Sequence, residues 1–197
     1  MKILTFVVGE LGTNCYVVAT RQGRAMVIDP GDETAVITQG LADHALTASL
    51  IVNTHGHIDH IAADAALGLP VSVHEDDAAM ISDPEKNMMT MFFGTFEPVV
   101  PARLLRDGDD VVLDELMFKV IHTPGHTPGC ICLFGHGVLF SGDTLFRDGI
   151  GRTDFPGASG RKMEESLKRL KSLPPETIVY PGHGPKTTIG REFSKHG

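Results

Sequence analysis

Seven consecutive residues, Thr54-His55-Gly56-His57-Ile58-Asp59-His60, restrict more than any others what this 197-residue chain can fold into. Three imidazoles and a carboxylate occur within six positions, directly after the apolar run Leu50-Ile51-Val52. Side chains alternate across an extended strand, so His-x-His at a strand end presents both rings on one side. Gly56 between them lets the backbone pass close to whatever the rings hold. The spacing predicts a helix over residues 58–67, whose first turn carries Asp59 and His60 back towards the same point. Imidazole nitrogens and carboxylate oxygens are the donors that suit zinc, iron or manganese. In a solvated loop such a density of them would have no structural purpose.

Matching groups lie far along the chain. Thr123-Pro124-Gly125-His126 and Tyr180-Pro181-Gly182-His183 are one device used twice. A strand stops, Pro presets its own dihedral, Gly takes the positive one of a type II turn, and a histidine stands at the tip. Asp143, in Ser141-Gly142-Asp143-Thr144, closes another strand. With the first motif this makes five histidines and two aspartates, more than one four-coordinate ion uses and enough for two. A carboxylate can bridge two ions about 3.5–4 Å apart, which suits Asp143. Asp29, in the turn Asp29-Pro30-Gly31, reads equally as a solvated turn residue or as a carboxylate that orients a ligand histidine. His44, His74, His136 and His196 have no such setting and read as surface or packing residues, while His122, beside a Pro-Gly turn, is compatible with either role.

Strand patterns occupy residues 3–8, 15–19, 24–28, 49–53, 71–74, 111–113, 117–121, 131–134, 138–140 and 177–180, with amphipathic helices expected over 33–44 and 161–173. No linker or repeat interrupts them, so residues 1–197 are expected to form one domain. Residues 84–101 differ: Met88, Met89, Met91, Phe92, Phe93 and Phe96 crowd a proline-bounded segment without a clean period. Such a segment can fold its apolar side onto the core, form a wall that receives an acyl group, or contact another copy. No apolar run is long enough for a bilayer, and residues 1–9 lack the features of a signal peptide, so a cytoplasmic home and no membrane partner are expected. A net charge of -8 argues against nucleic acid as a partner. Cys15, Cys130 and Cys132 form no CxxC pair and read as small buried apolar residues.

In its order of motifs (His-x-His-x-Asp-His, Pro-Gly-His, Ser-Gly-Asp, a late Pro-Gly-His) nearly the whole chain resembles the metallo-β-lactamase superfamily. The resemblance implies an α/β fold, the four-layer αββα sandwich, with metals at one edge of two packed sheets. Gly142-Asp143-Thr144-Leu145-Phe146 and Gly151-Arg152-Thr153-Asp154-Phe155-Pro156 are similar to short glyoxalase II-type (hydroxyacylglutathione hydrolase-like) enzymes that lack the extra C-terminal helical domain. Carried over by position, the likeness implies that His55, His57 and His126 hold one divalent metal ion. Asp59, His60 and His183 would hold the other, and Asp143 would bridge. Zinc is the expected metal, with iron and manganese as alternatives. Asp59 and Asp143 would serve the chemistry, in which a metal-bridging hydroxide cleaves a small-molecule thioester such as S-lactoylglutathione. Arg152 would bind a substrate carboxylate. Asp154 departs from the aromatic residue often found there in full-length glyoxalase II. True β-lactamases usually lack an aspartate at the place of Asp143. The alternative of the same fold is a persulfide dioxygenase with a single iron, similar even in the Gly151 to Phe155 stretch.

Overall fold

The computed structural model describes residues 1–91 and 96–194. Six strands from the first half of the chain form one sheet in chain order: β1 (Lys2–Val8), β2 (Thr13–Ala19), β3 (Arg24–Ile28), β4 (Thr47–Val52), β5 (Val71–His74) and β6 (Arg103–Leu105). The first three are antiparallel neighbours and the last four run parallel. Parallel neighbours need crossovers. The helix α1 (Thr34–Asp43) fills the one after β3, and α2 (Ile58–Ile61) with α3 (Asp64–Leu67) the one after β4.

Six strands of the second half make the other sheet: β7 (Asp110–Leu113), β8 (Leu116–His122), β9 (Ile131–Gly135), β10 (Val138–Gly142), β13 (Ile178–Pro181) and β14 (Thr187–Thr188). Their spatial order is β14-β13-β10-β9-β8-β7. A small hairpin of β11 (Leu145–Phe146) and β12 (Gly149–Ile150) lies outside it, and α4 (Gly160–Leu170) and α5 (Ile189–Ser194) complete the chain.

Strand alternation explains the layering. In β2, Tyr16 and Val18 face the second sheet, while Cys15, Val17 and Ala19 face the helix side with Ile37 and Leu41 of α1. Met26 and Ile28 of β3 share the inner face with Phe118, Val120, Ile131, Leu133 and Phe140 from the second sheet. The other face of that sheet, with Ile121, Cys132, Leu139 and Val179, packs under Leu170 of α4 and Ile189 of α5. Helices, sheet, sheet and helices therefore stack as the expected four-layer αββα sandwich. Strands covered on both faces read as unbroken apolar runs rather than as alternation, which is why β2 is buried throughout.

Two expectations change. The predicted helix over 58–67 is two short helices, because the Ala63 N–H turns to the Pro30 carbonyl at 2.9 Å instead of continuing the ladder. The helix predicted to end at 173 ends at Leu170, and tightened bonds from Ser172 and Leu173 back to Arg169 and Leu170 close it ahead of Pro174. At its start the Ser159 hydroxyl caps the Lys162 N–H. The short β11, β12, β14 and α5 carry too few residues for a pattern. Of the Met/Phe-rich segment, Met89 and Phe96 pack against the outer layer of the first sheet, and Phe92 and Phe93 lie outside the described residues.

Phe140 is fully buried between the sheets, its ring 5.2 Å from that of Tyr16 and 5.8 Å from that of Phe118. Phe140→Ala is expected to destabilise by about 3–5 kcal/mol, the range for an aromatic lost from a well-packed core. Denaturant unfolding reads this directly, and a loss under about 1 kcal/mol would contradict a continuous inner layer.

Candidate metal centre

All seven expected ligands gather at one edge of the sandwich, five on segments that follow strands and Asp59 and His60 on α2. Parallel pairing of β3 with β4 aligns Ile28 with Val52, so Asp29 and Thr54 emerge side by side. Parallel pairing of β10 with β13 aligns Gly142 with Pro181, and the Gly182 N–H donates to the Gly142 carbonyl at 2.8 Å. Asp143 and His183 thus leave neighbouring strands together. The last turn is tied back to β2 by the Asn14 amide and the Tyr16 hydroxyl, both donating to the Pro181 carbonyl at 3.0 and 2.6 Å.

Glycines set the close approaches. A Cβ on Gly182 would meet Asp143 Oδ1 at 2.2 Å and His60 Cε1 at 2.8 Å, so the space it leaves holds the ligands together. The positive dihedral expected at Gly182 is not found; it belongs to Gly184, at φ 73°. At Gly31 a Cβ would strike the Asp59 carbonyl oxygen at 1.7 Å, which explains how α2 seats against the Asp29 turn.

The ligand-type atoms fall into two groups, with a third grouping of His55, His60 and Asp143 that spans them. Single atoms of His55, His57 and His126 lie within 4.8 Å of one another, as do those of Asp59, His60 and His183. His57 Nδ1 faces His126 Nε2 at 2.9 Å, and His60 Nε2 faces His183 Nε2 at 3.3 Å. Asp143 stands between: Oδ1 is 3.5 Å from His60 Nε2, and Oδ2 is 3.5 Å from His126 Nε2 and 3.7 Å from His183 Nε2. His55 Nε2 and Asp143 Oδ1 are buried without a hydrogen-bond partner. Orphaned buried acceptors of this kind call for a cation, and the donor set fits two divalent ions.

Ring orientation is fixed from behind. Asp29 accepts from His60 Nδ1 at 3.0 Å and from the Thr54 N–H and hydroxyl, each at 2.7 Å. Of the two roles open to Asp29, the structure gives the orienting one. The Arg152 carbonyl accepts from His126 Nδ1 at 2.8 Å, and the Leu11 carbonyl from His183 Nδ1 at 3.2 Å. In each case Nε2 is the nitrogen turned towards the centre. The Thr13 hydroxyl donates to Asp59 Oδ2 at 3.1 Å. Thr13, the Leu11 carbonyl and Phe155, whose ring lies 5.7 Å from that of His57, were not singled out from sequence, because only distant pairing brings them here.

The groups differ in charge. Burial and the neighbouring imidazoles keep His55 well below the ordinary histidine range, and His57 is lowered to about 3 by burial and His126. His60 is raised to about 10: burial opposes its charge, but Asp59, Asp143 and Asp29 surround it. Asp59, against its own burial, is held below the usual carboxylate range by His60 and His183. A proton on His60 therefore stands where cationic charge is required.

Arg152 donates two bonds to Asp154, at 3.0 and 2.8 Å, and lies 4.2 Å over the Phe155 ring. A histidine grouping away from this centre, His74, Asp76 and His122, has rings stacked 3.9 Å apart and 15° from parallel. Parallel rings do not converge on one ion, and His122 Nε2 already donates to the Pro128 carbonyl at 2.8 Å. Both are packing residues.

Residues 8–183 match the model of the Metallo-beta-lactamase superfamily, and the chain belongs to that superfamily. Its members are generally metal-dependent hydrolases. The chain is 32% identical to hydroxyacylglutathione hydrolase GloC of Haemophilus influenzae over 98% of its own length and 95% of that protein's. Among solved structures it is similar to BLEG-1 B3 metallo-beta-lactamase (34% identity, 98% and 97% of the two chains, TM-score 0.90) and to TTHA1623 in a di-iron-bound form (40%, 96% of each, 0.85). A further likeness is to ETHE1 from Myxococcus xanthus (30%, 98% and 81%, 0.83). No helix among the described residues is long and apolar enough to cross a membrane.

Zinc-replete protein is expected to hold two ions per chain by elemental analysis. His183→Ala should release one, and Asp143→Asn should weaken both. A single ion in the wild type, or two held normally by Asp143→Asn, would rule out the bridging arrangement.

Metal loading should also depend on pH in a defined direction. Filling the Asp59, His60 and His183 group displaces a proton from His60, so its affinity falls as pH drops below about 10. The other group gives up less, because His55 and His57 are already neutral. Zinc calorimetry at pH 6 and pH 8, in buffers of different ionisation enthalpy, should show proton release and a pH slope chiefly for one ion. Equal slopes for both would contradict this division.

Proposed function

We propose that this chain is a dinuclear metal-dependent thioesterase of the glyoxalase II type, cleaving S-lactoylglutathione or a related small acyl thioester. The supporting observation is the place of Asp143, whose two oxygens each lie 3.5 Å from an imidazole of a different ligand group. Two divalent ions there would lower the pKa of water to about 7 and polarise a carbonyl oxygen. Zinc suits the nitrogen-rich donor set. The di-iron form of TTHA1623 supports iron as the other candidate.

The chain's own groups prepare the rest. Asp59 is fixed by Thr13 and His183 yet partly exposed, so its carboxylate can orient an attacking water at the opening. Asp29 and the Arg152 carbonyl lock the imidazoles on either side of Asp143. Phe155 covers the His57 and His126 side and gives the substrate an apolar wall. A carboxylate on the thiol carrier would take the Arg152 guanidinium from Asp154, two exposed groups whose pairing is weak enough to exchange. A thiolate leaves without a strong general acid, consistent with a site built almost wholly of ligands. With a net charge of -8, the partner is a small molecule rather than nucleic acid or a membrane, met in the cytoplasm.

A second reading, an iron persulfide dioxygenase, draws on the likeness to ETHE1 and on iron in a similar protein. A substrate panel separates the two. Zinc-loaded protein is expected to cleave S-lactoylglutathione equally in air and under argon, and to take up no oxygen with glutathione persulfide. Nitrocefin, included because of the likeness to BLEG-1, is expected to be turned over far more slowly. Arg152→Ala should raise KM several-fold with little change in kcat. Oxygen uptake with persulfide by iron-loaded protein, with no thioester cleavage under any metal, would overturn the hydrolase.

A further inference from the structure

Three of the ligand rings are braced by a group behind them, but the His55-x-His57 turn is not. His57 has His126 as its sole ring hydrogen-bond partner among the described residues, and His55 Nδ1 meets only the Thr54 hydroxyl at 3.2 Å. The placement of these two rings against His126 must therefore come from the backbone that carries them.

One buried side chain joins those two backbone segments beside the rings. Asp77, in the turn after β5, has no solvent exposure. Its Oδ2 accepts from the Gly56 N–H at 3.1 Å, between His55 and His57, and from the Thr127 hydroxyl at 2.6 Å, next to His126. Its Oδ1 accepts from the Gly129 N–H at 2.6 Å. A Cβ on Gly129 would meet the Asp77 carboxyl carbon at 2.6 Å, so the glycine is what lets the carboxylate enter. All three partners donate, which only an ionised carboxylate can satisfy in full. A backbone link between these segments, from the Ile131 N–H to the Thr54 carbonyl at 2.8 Å, lies before His55 and beyond the His126 turn.

We infer that Asp77 is the positioning residue of the His55, His57 and His126 metal group, setting the separation of the His-x-His turn from the His126 loop. The inference rests on the dinuclear reading above. Asp77 touches neither metal nor substrate. It acts only through Gly56, Thr127 and Gly129, all on one side of Asp143, so its removal should affect one ion and spare the other. In Asp77→Asn the size is kept, but an amide N–H must then face one of three donors.

The test uses full-length protein titrated with cobalt and zinc, with the visible cobalt band lost in His57→Ala marking the first group. Asp77→Asn is expected to bind the ion of that group about 10- to 100-fold more weakly, the usual effect of losing an orienting partner. The ion at Asp59, His60 and His183 should keep its affinity, and full occupancy should return at high metal concentration. Unchanged affinity for both ions would overturn the inference, as would equal weakening of both in step with a lower Tm. If Asp77→Asn does not fold, Thr127→Val removes one donor and should weaken the same ion to a smaller degree; no change there would equally overturn it. Wild-type protein that binds no second ion would instead refute the dinuclear reading itself.

Discussion

Three carboxylates, Asp29, Asp59 and Asp143, converge on the single imidazole of His60 at one edge of the sandwich. Groups of like charge taken out of water cost free energy until a cation joins them. Much of the surrounding structure can be understood as the means of holding that arrangement. A proton on His60 supplies such a cation, and a metal ion held there would take its place.

Holding such a cluster requires backbone close behind it, and the fold supplies this with strand ends. Parallel neighbours finish on the same edge, so β3 with β4, and β10 with β13, each deliver two functional residues to one place. Glycines 31 and 182 then remove the Cβ atoms that would keep carboxylate and imidazole apart. Carbonyls of Leu11 and Arg152 and the carboxylate of Asp29 fix the tautomers. The apolar layers on both faces of both sheets make these strand ends stiff, because neither sheet can shift without opening a packed interface.

How much of this the sequence reveals depends on the range of the interaction. The seven ligand-type residues are legible because residue type and local spacing carry the chemistry, and the strands because their apolar runs end at turn residues. Asp29 stays undecided from sequence, since nothing local says which way a turn carboxylate points. Asp77 is invisible for a related reason: its partners lie 21, 50 and 52 residues away, and its own surroundings read only as an acidic turn. The break between α2 and α3 is set by a carbonyl from another loop, which periodicity cannot contain. Gly182 was expected for its conformational freedom, yet its place depends on the missing side chain.

Each ligand group draws on both sheets. His55 and His57 follow the first sheet while His126 comes from the second, and Asp59 and His60 meet His183 in the same way. The nitrogen-to-nitrogen contacts within the two groups join residues 69 and 123 positions apart. An ion in either group would thus close a long loop of chain, as a disulfide does, in a protein whose three cysteines are all unpaired. Loop-closure entropy grows only with the logarithm of length, so the two closures would be of similar worth despite their different spans. Metal would then serve here as a pair of reversible cross-links between the layers, and the sandwich would be most rigid when it is chemically competent.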